Sequence, residues 1–215
     1  RLSLRVRLKN GETIFGVNKF SIHKPRARQY PYEHAFQDSL RHAGNIGAVH
    51  DFAKITVNGE AWGVMNVEEN ISKQFLEKER LKDSLVFRFS DDKKWLQYGR
   101  SFDGTYSEYR YSDSRFIATV AKQNQYLDDD LWRSRYTYVL ERRLEKKHSE
   151  LYAIEPHLRA FFASLLWNNQ HTLSNSNSRY YFNPYLLQLE PITIDQGMFT
   201  EFSEDLENVL DKIYL

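Results

Sequence analysis

The dipeptide Asn58-Gly59 stands between two runs rich in apolar and β-branched residues, 52–57 and 61–67. Asn-Gly suits a two-residue hairpin turn better than other pairs do, because both central positions of that turn need a positive φ. Such a turn also fixes which residues of the two strands face each other. The sequence therefore predicts an antiparallel hairpin here, and the fold of the chain has to contain it.

Another hairpin and one helix are predicted before this turn. Residues 2–8 alternate apolar and basic side chains, residues 9–12 carry a turn sequence, and residues 13–22 provide the returning strand. Residues 32–43 have apolar side chains at helical spacing, and Gly44 is suited to end that helix. The N-terminal part is thus expected to be a small antiparallel sheet that carries one helix.

The rest of the chain is predicted to be mostly helical. An insertion is expected near residues 90–112, and a strand pair at 179–182 and 186–194. Helices are predicted at 71–81, 113–125, 128–148, 154–168 and 203–215. The clearest apolar stripe is that of the fourth of these helices, and it comprises Leu158, Phe161, Phe162, Leu165 and Leu166.

These elements predict an α+β fold in two parts. Residues 1–70 form a β-rich part, and residues 71–215 form a mostly helical part that contains the hairpin of residues 179–197. A small sheet followed by helices is expected to form two lobes with a cleft between them. The first residue is Arg and lies within a predicted strand, so we expect the chain to be a fragment of a longer one.

The composition is that of a globular protein and excludes some classes of site. The chain is 41% hydrophobic and 27% charged, which is ordinary. A net charge of +1 does not indicate a nucleic-acid partner. The sequence has no cysteine, which excludes disulfides, thiolate nucleophiles and cysteine-based zinc sites. No apolar run is long enough to predict a membrane span.

Polar residues suited to phosphoryl transfer follow one another in the last fifth of the chain. His171 and Asn177 lie in a predicted polar loop, and Asp195 ends an apolar run two residues before Gly197. Such a loop can orient a nucleophile and offer an amide oxygen to Mg²⁺, while a following Asp links the metal to the phosphates. His171 could be a general base, because an imidazole exchanges its proton near neutral pH. Both loop residues could instead bond only to backbone.

Two further pairs of residues could serve a nucleotide. Lys19 lies in the predicted strand 13–22 and Glu33 in the following helix, and a strand lysine held by a helix glutamate can reach nucleotide phosphates. Lys24 is a second candidate for that lysine. Glu68 and Glu69 follow the second hairpin, where a base or ribose could meet the linker between lobes. A solvated turn is the alternative for this acidic pair.

Two other kinds of site are less consistent with the sequence. His157, His171 and Asp195 could bind zinc, although they lack a short metal-binding spacing. A serine nucleophile would be expected in a G-x-S-x-G elbow, which the sequence does not contain.

Several longer motifs occur in a fixed order along the chain. They are Phe-Gly-Val-Asn-Lys-Phe-Ser-Ile at 15–22 with Pro25, Val-Asn-Gly-Glu-Ala-Trp-Gly-Val at 57–64 with Glu68 and Glu69, Asn-Ser-Arg-Tyr-Tyr-Phe-Asn-Pro at 177–184, and Asp195. In this order the motifs resemble the spore coat protein H (CotH) kinase family, an atypical branch with a protein-kinase-like fold. The resemblance covers nearly the whole chain.

The resemblance implies phosphorylation of protein side chains that depends on ATP and on Mg²⁺ or Mn²⁺. It also suggests a surface or coat protein as substrate, and a location at the spore or cell surface. Lys19 would contact the phosphates, with Glu33 as its helix partner. Asn177 and Asp195 would bind the metal, and residues 195–197 would replace the Asp-Phe-Gly triplet of ordinary kinases.

One departure from the family bears on activity. Members commonly have a catalytic Asp ahead of the metal-binding Asn, but no carboxylate occurs here between Glu155 and Glu190. Either His171 replaces it, or transfer depends on positioning and metal electrostatics, or this copy is catalytically weak. Two other functions therefore stay open: a pseudokinase scaffold, and a surface domain whose aromatic groove binds glycan or another protein.

Overall fold

A computed structural model describes residues 3–89, 128–173, 177–197 and 199–201. The strands are β1 (Ser3–Arg7), β2 (Lys19–His23), β3 (His50–Val57), β4 (Glu60–Glu69), β5 (Val86–Phe87), β6 (Arg179–Asn183) and β7 (Gln188–Ile192). The first sheet has the order β1-β2-β4-β3 and the second the order β5-β6-β7. The helices are α1 (Tyr32–His42), α2 (Lys73–Lys78), α3 (Asp130–Leu144), α4 (His148–Leu151) and α5 (Ile154–Leu166), with 3₁₀ turns at Pro25–Arg28 and His171–Leu173.

The predicted α+β class and the Asn58-Gly59 hairpin are confirmed. These two residues have φ values of 49° and 83°, and they join β3 to β4 as the sequence predicts. One extra residue on β4, Trp62, forms a bulge where the pairing shifts between Ile55 and Thr56. The hairpin is therefore regular at its turn and at its far end, with one irregularity between them.

The first hairpin differs from its prediction. The turn at residues 9–12 is present, because the Glu12 N–H donates to the Lys9 carbonyl at 3.1 Å. A second tight turn follows at Phe15-Gly16, where both residues have positive φ. The returning strand β2 therefore begins only at Lys19, and most of the strand predicted at residues 13–22 is a loop.

The two faces of the first sheet bury different kinds of side chain. One face carries the apolar core residues Val17, Phe20, Ile22, Met65 and Val67. The other is polar and lies under the 3₁₀ turn and α1, with Tyr30 packed edge-on against Phe52 at 4.9 Å. Because Phe20 pairs with Glu69 and Ser21 with Glu68, the two glutamates project from opposite faces.

The second sheet is covered on both faces. One face packs against α3 through a core of Leu85, Phe87, Phe89, Val139, Leu151, Tyr180, Phe182 and Leu189. The other face packs against α2 and the segment after α1, through Ile46, Ala48, Phe75, Leu76, Val86, Tyr181 and Ile192. A parallel bridge between Ile46 and Ile192 joins this sheet to the end of α1. The strands that precede Asp195 are thus held in a fully packed layer.

Helix α5 is found where the sequence predicts it, but the expectation that its apolar stripe is the buried face is wrong. The helix buries Ala160 and Ser164, while Leu158, Phe162 and Leu166 are 48%, 54% and 70% exposed. Small side chains let the helix approach α1 and β7 closely, and the Ser164 hydroxyl donates to the Ala160 carbonyl at 2.9 Å, so it is satisfied within the helix.

The helix predicted at residues 128–148 is found as α3 and the short α4. Within α3 the buried residue is Val139, whereas Leu131 and Leu144 are exposed. The predicted insertion and the helices at 113–125 and 203–215 lie outside the described residues. Among the helices that are described, none has both the length and the apolar character needed to cross a membrane.

Candidate functional site

Glu33 fastens the loop that follows β7. Its carboxylate is buried and accepts hydrogen bonds from the N–H groups of Asp195 at 3.0 Å, Gln196 at 2.6 Å and, more weakly, Gly197 at 3.4 Å. Gln37, one turn along α1, donates its amide N–H to Glu33 at 2.9 Å and also to the Thr193 carbonyl. Burial raises the pKa of Glu33, and these hydrogen bonds oppose that rise. The loop is thereby bonded to α1 through its backbone.

The backbone at residues 195–197 has an unusual conformation. Asp195 has a φ of 59° and Gly197 a φ of 83°. A side chain at Gly197 would also meet the Asn169 amide, since a Cβ there would lie 3.3 Å from its nitrogen. Asp195 is a residue type that tolerates positive φ, and such conformations are concentrated at functional sites. The turn leaves the Asp195 side chain 42% exposed, although its backbone is anchored.

Arg28 joins the Asp195 loop to the first sheet. Its guanidinium donates to both oxygens of Glu68, at 2.5 Å and 2.9 Å, and to Asp195 Oδ1 at 3.0 Å. Burial disfavours the charge on Arg28, but Glu68, Asp195 and Glu33 outweigh that effect and raise its pKa. For Glu68, burial is likewise outweighed, by His23 and Arg28, and its pKa falls to about 2. Both groups of this bidentate pair are therefore charged at neutral pH.

Two histidines lie beside this ion pair. His23 Nε2 is 3.2 Å from Glu68 Oε2. His50 is only 4% exposed, and neither of its ring nitrogens has a hydrogen-bond partner. Burial lowers the pKa of His50 to about 4, with Arg28 adding repulsion and Glu68 opposing the shift. His50 is thus a neutral, buried imidazole under a charged site.

We expect this imidazole to make stability fall as the pH is lowered. The unfolded chain takes up a proton at His50 near pH 6.5, whereas the folded chain does so only near pH 4. Between pH 7.5 and 5 the free energy of unfolding should fall by about 2 kcal/mol from this group alone. The stabilisation by Glu68 is complete above pH 4.5 and lost only toward pH 2, so it does not contribute in that window.

Urea unfolding of the parent and of His50→Leu at several pH values would measure this effect. The variant should lack about 2 kcal/mol of the decrease, because leucine cannot be protonated. If the free energy of unfolding changed equally with pH in the two proteins between pH 5 and 7.5, His50 would not be buried as a neutral base.

The polar loop and the Asp195 loop form one hydrogen-bonded network. Asn177 donates its amide N–H to the His171 carbonyl at 3.0 Å, and His171 Nε2 lies 3.7 Å from Asp195 Oδ2. The Thr172 hydroxyl donates to the Ile194 carbonyl at 2.9 Å, and the Gln196 amide to the Asn169 carbonyl. The imidazole of His171 is 56% exposed, so it stands at the surface of this network beside Asp195.

The predicted pairing of Lys19 with Glu33 is wrong. The Lys19 ammonium donates to Gln74 Oε1 at 3.0 Å, while the Glu33 oxygens are engaged by Gln37 and the backbone of residues 195–197. Arg28, on the turn just before α1, is the cation that approaches Glu33. Residues 24–31 are basic and contain two prolines, which does not reveal a role for Arg28. The side toward which α1 directs Glu33 depends on tertiary packing.

Lys19 and Glu69 line the same pocket. It has a volume of about 150 Å³ and lies between the Phe15-Gly16 turn, the end of β4 and the start of α2. Glu69 is buried, accepts from the Val49 N–H at 3.1 Å and pairs with Lys78. The structure therefore separates the two adjacent glutamates: Glu69 belongs to the Lys19 pocket and Glu68 to the Arg28 cluster.

Among the described residues, no group of three or more His, Asp and Glu side chains could hold a metal ion. The three residues of the alternative zinc site do not come together. His157 bonds to the Ala153 carbonyl and stacks on Tyr180, with 5.9 Å between the ring centroids. Asp195 and Asn177 do provide oxygen donors, the kind that Mg²⁺ prefers. The Asn177 bond to His171 uses its amide nitrogen, which leaves the amide oxygen as an acceptor.

No protein-family model and no curated protein matches this chain.

Proposed function

We propose that this chain is a phosphotransferase of the CotH kinase type, which transfers the terminal phosphoryl group of ATP to protein side chains with Mg²⁺ or Mn²⁺. The observation that carries the proposal is the anchored loop of residues 195–197. The buried carboxylate of Glu33 accepts hydrogen bonds from the backbone of this loop. The side chain of Asp195 in the loop stays partly exposed, beside the imidazole of His171 and the guanidinium of Arg28. Phosphoryl transfer needs positioned groups of this kind more than it needs covalent chemistry.

The roles follow from the contacts of each side chain. Asp195 and the amide oxygen of Asn177 would hold the metal ion, which supplies positive charge to the phosphate oxygens. Lys19 and Glu68 would contact the nucleotide, because their side chains leave the first sheet on the face opposite Phe20 and Glu69. His171 would accept the proton of the acceptor hydroxyl. The hydroxyl oxygen then bonds to the terminal phosphorus, the bond to the bridging oxygen breaks, and ADP leaves.

The alternative is a pseudokinase scaffold that binds nucleotide without transfer. Two observations favour it. Arg28 already bonds to Asp195, so the carboxylate has a partner within the chain. No carboxylate occurs between Glu155 and Glu190 to serve as the usual catalytic base.

His171→Ala separates these functions. If His171 is the general base, the variant should transfer phosphate from labelled ATP to itself or to a general protein acceptor about 10²–10⁴-fold more slowly than the parent. Its stabilisation by ATP and Mg²⁺ in thermal unfolding should be unchanged. His148→Ala is a matched control, since His148 stacks on Tyr152 away from this network.

Equal transfer by parent and variant would make His171 structural. Stabilisation by ATP without transfer in either protein would favour the scaffold. A parent protein whose unfolding is indifferent to ATP and Mg²⁺ would contradict the kinase proposal and the scaffold alike.

A further inference from the structure

Helix α5 presents a row of large apolar side chains to solvent. One side of the helix packs against α1 and β7 through small residues. On the opposite side Ile154, Leu158, Phe162 and Leu166 follow one another at four-residue spacing and are 48–70% exposed. This row of four residues is the α5 stripe. A helix that is apolar on two opposite sides is normally covered on both, so the stripe is expected to bind a further element.

The chain returns to one end of the α5 stripe after the Asp195 loop. The Thr200 N–H donates to the Trp167 carbonyl at 3.1 Å, and the Asn168 amide donates to the Glu201 carbonyl at 3.3 Å. Trp167 and Asn168 directly follow the last residue of α5. The described part of the chain therefore ends at Glu201, beside the C-terminal end of this helix.

The 14 residues at 202–215 have a sequence that fits the α5 stripe. They lie outside the described residues, and their sequence predicts a helix at 203–215 that Ser203 can cap. The 13 residues of this predicted helix match the 13 of α5. Four acidic residues occupy its other positions, and one side consists of Leu206, Val209, Leu210 and Ile213. Such an amphipathic helix needs an apolar surface against which to pack.

We propose that the C-terminal segment, residues 202–215, binds the α5 stripe as an antiparallel helix. The segment starts at the C-terminal end of α5 and is long enough to reach the N-terminal end. Leu206 would then lie next to Leu166, and Ile213 next to Leu158, so that each apolar row covers the other. Because the segment is joined to the chain at this point, the contact is intramolecular and has a high effective concentration.

A second copy of this chain fits the α5 stripe less well than the C-terminal segment does. Stable interfaces between separate chains use about 20–30 residues on each partner. The stripe offers four residues on one helix, which suits a single helix that already belongs to the same chain. The proposed contact goes beyond the proposed function, since it would exist in a chain that transfers no phosphate.

Disulfide formation between introduced cysteines tests this contact in the full chain. The sequence has no cysteine, so only the introduced pair can react. The antiparallel contact brings together Leu166→Cys with Leu206→Cys, and Leu158→Cys with Ile213→Cys. A disulfide needs Cα atoms about 4.4–6.8 Å apart. Each pair should form an intrachain disulfide at least tenfold faster than its control, as measured by mass spectrometry without reduction.

The control pairs keep the α5 cysteine and move the other by two residues, to the opposite side of the predicted helix. They are Leu166→Cys with Asn208→Cys, and Leu158→Cys with Asp211→Cys. Equal rates for test and control pairs would overturn the proposal, because a segment that does not dock brings both together by random motion. Disulfides between chains in place of intrachain ones would also overturn it, and would assign the stripe to a second copy. The measurement uses neither nucleotide nor metal, so its outcome is independent of the kinase proposal.

Discussion

Replacing Glu33 with alanine is expected to lower the free energy of unfolding by about 3–5 kcal/mol. The change removes the acceptor for the N–H groups of Asp195 and Gln196 and one acceptor of Gln37. Each buried donor left without a partner costs about 1–3 kcal/mol. Without this anchor the Asp195 loop should no longer be held in place. The variant should therefore be less stable and should also no longer be stabilised by ATP and Mg²⁺. Urea unfolding with and without ATP and Mg²⁺ would measure both effects.

Two controls separate the anchor from a general effect of charge. Glu33→Gln keeps one carbonyl oxygen in place, so it should lose less stability than Glu33→Ala. Glu155→Ala removes an exposed glutamate that pairs with Arg159, and a change within about 1 kcal/mol is expected there. If Glu33→Ala behaved like Glu155→Ala, Glu33 would not be the residue that holds the Asp195 loop.

Changing Asp195 to asparagine is expected to abolish metal-dependent nucleotide binding while leaving the fold intact. Asparagine keeps an oxygen that can accept from Arg28, so the contact at 3.0 Å can persist. It lacks the negative charge that a divalent ion needs. For the parent, ATP with Mg²⁺ at a hundredfold excess over its Kd should add about 2.7 kcal/mol of stability. The variant should gain none of this.

The matched control for this substitution is Asp129→Asn. Asp129 is exposed and caps α3 by accepting from the Leu131 and Trp132 N–H groups. It should keep the full response to ATP and Mg²⁺. If Asp195→Asn responded as strongly as the parent, the assignment of the metal to Asp195 would fall, and the kinase proposal with it.

Elements with local signals were predictable from the sequence. The Asn58-Gly59 turn needs only its own two residues to adopt positive φ, and helix α1 ends close to the predicted Gly44. The first hairpin was only partly predictable, because a second turn at Phe15-Gly16 competes with strand pairing. Phe15 gives no local sign of the positive φ that it adopts.

Which face of a helix is buried was less predictable. The apolar stripe of α5 is prominent in sequence, yet Ala160 and Ser164 make the close contact. Helix packing depends on the shape of the neighbouring elements as much as on hydrophobicity. Small residues such as these allow two elements to pack at a short distance, even though they bury little apolar surface. The periodicity of apolar residues does not reveal such a contact.

The candidate site was predictable as a set of residues but not as a set of bonds. His171, Asn177 and Asp195 are joined through hydrogen bonds and proximity, as their order in the chain suggested. Glu33 was predicted to pair with Lys19, but its carboxylate accepts hydrogen bonds from backbone N–H groups instead. Arg28 and His50 were missed, since a basic turn and a histidine at the start of a strand look the same whether they face solvent or a buried carboxylate.

The bulge at Trp62 has a consequence for how β4 tolerates changes in length. Because β4 carries one residue more than β3 between the turn and Glu68, deleting one residue from 61–65 would turn the bulge into regular pairing. Glu68 would still face His50, and Glu69 would stay on the opposite side. Strand β3 has no extra residue that a deletion could remove without changing the pairing. A deletion there would shift the part of β3 that contains His50 by one residue against β4, and side chains alternate with every residue, so His50 would face the opposite side of the sheet. Shortened relatives of this chain should therefore have lost residues from β4 and kept β3 at full length.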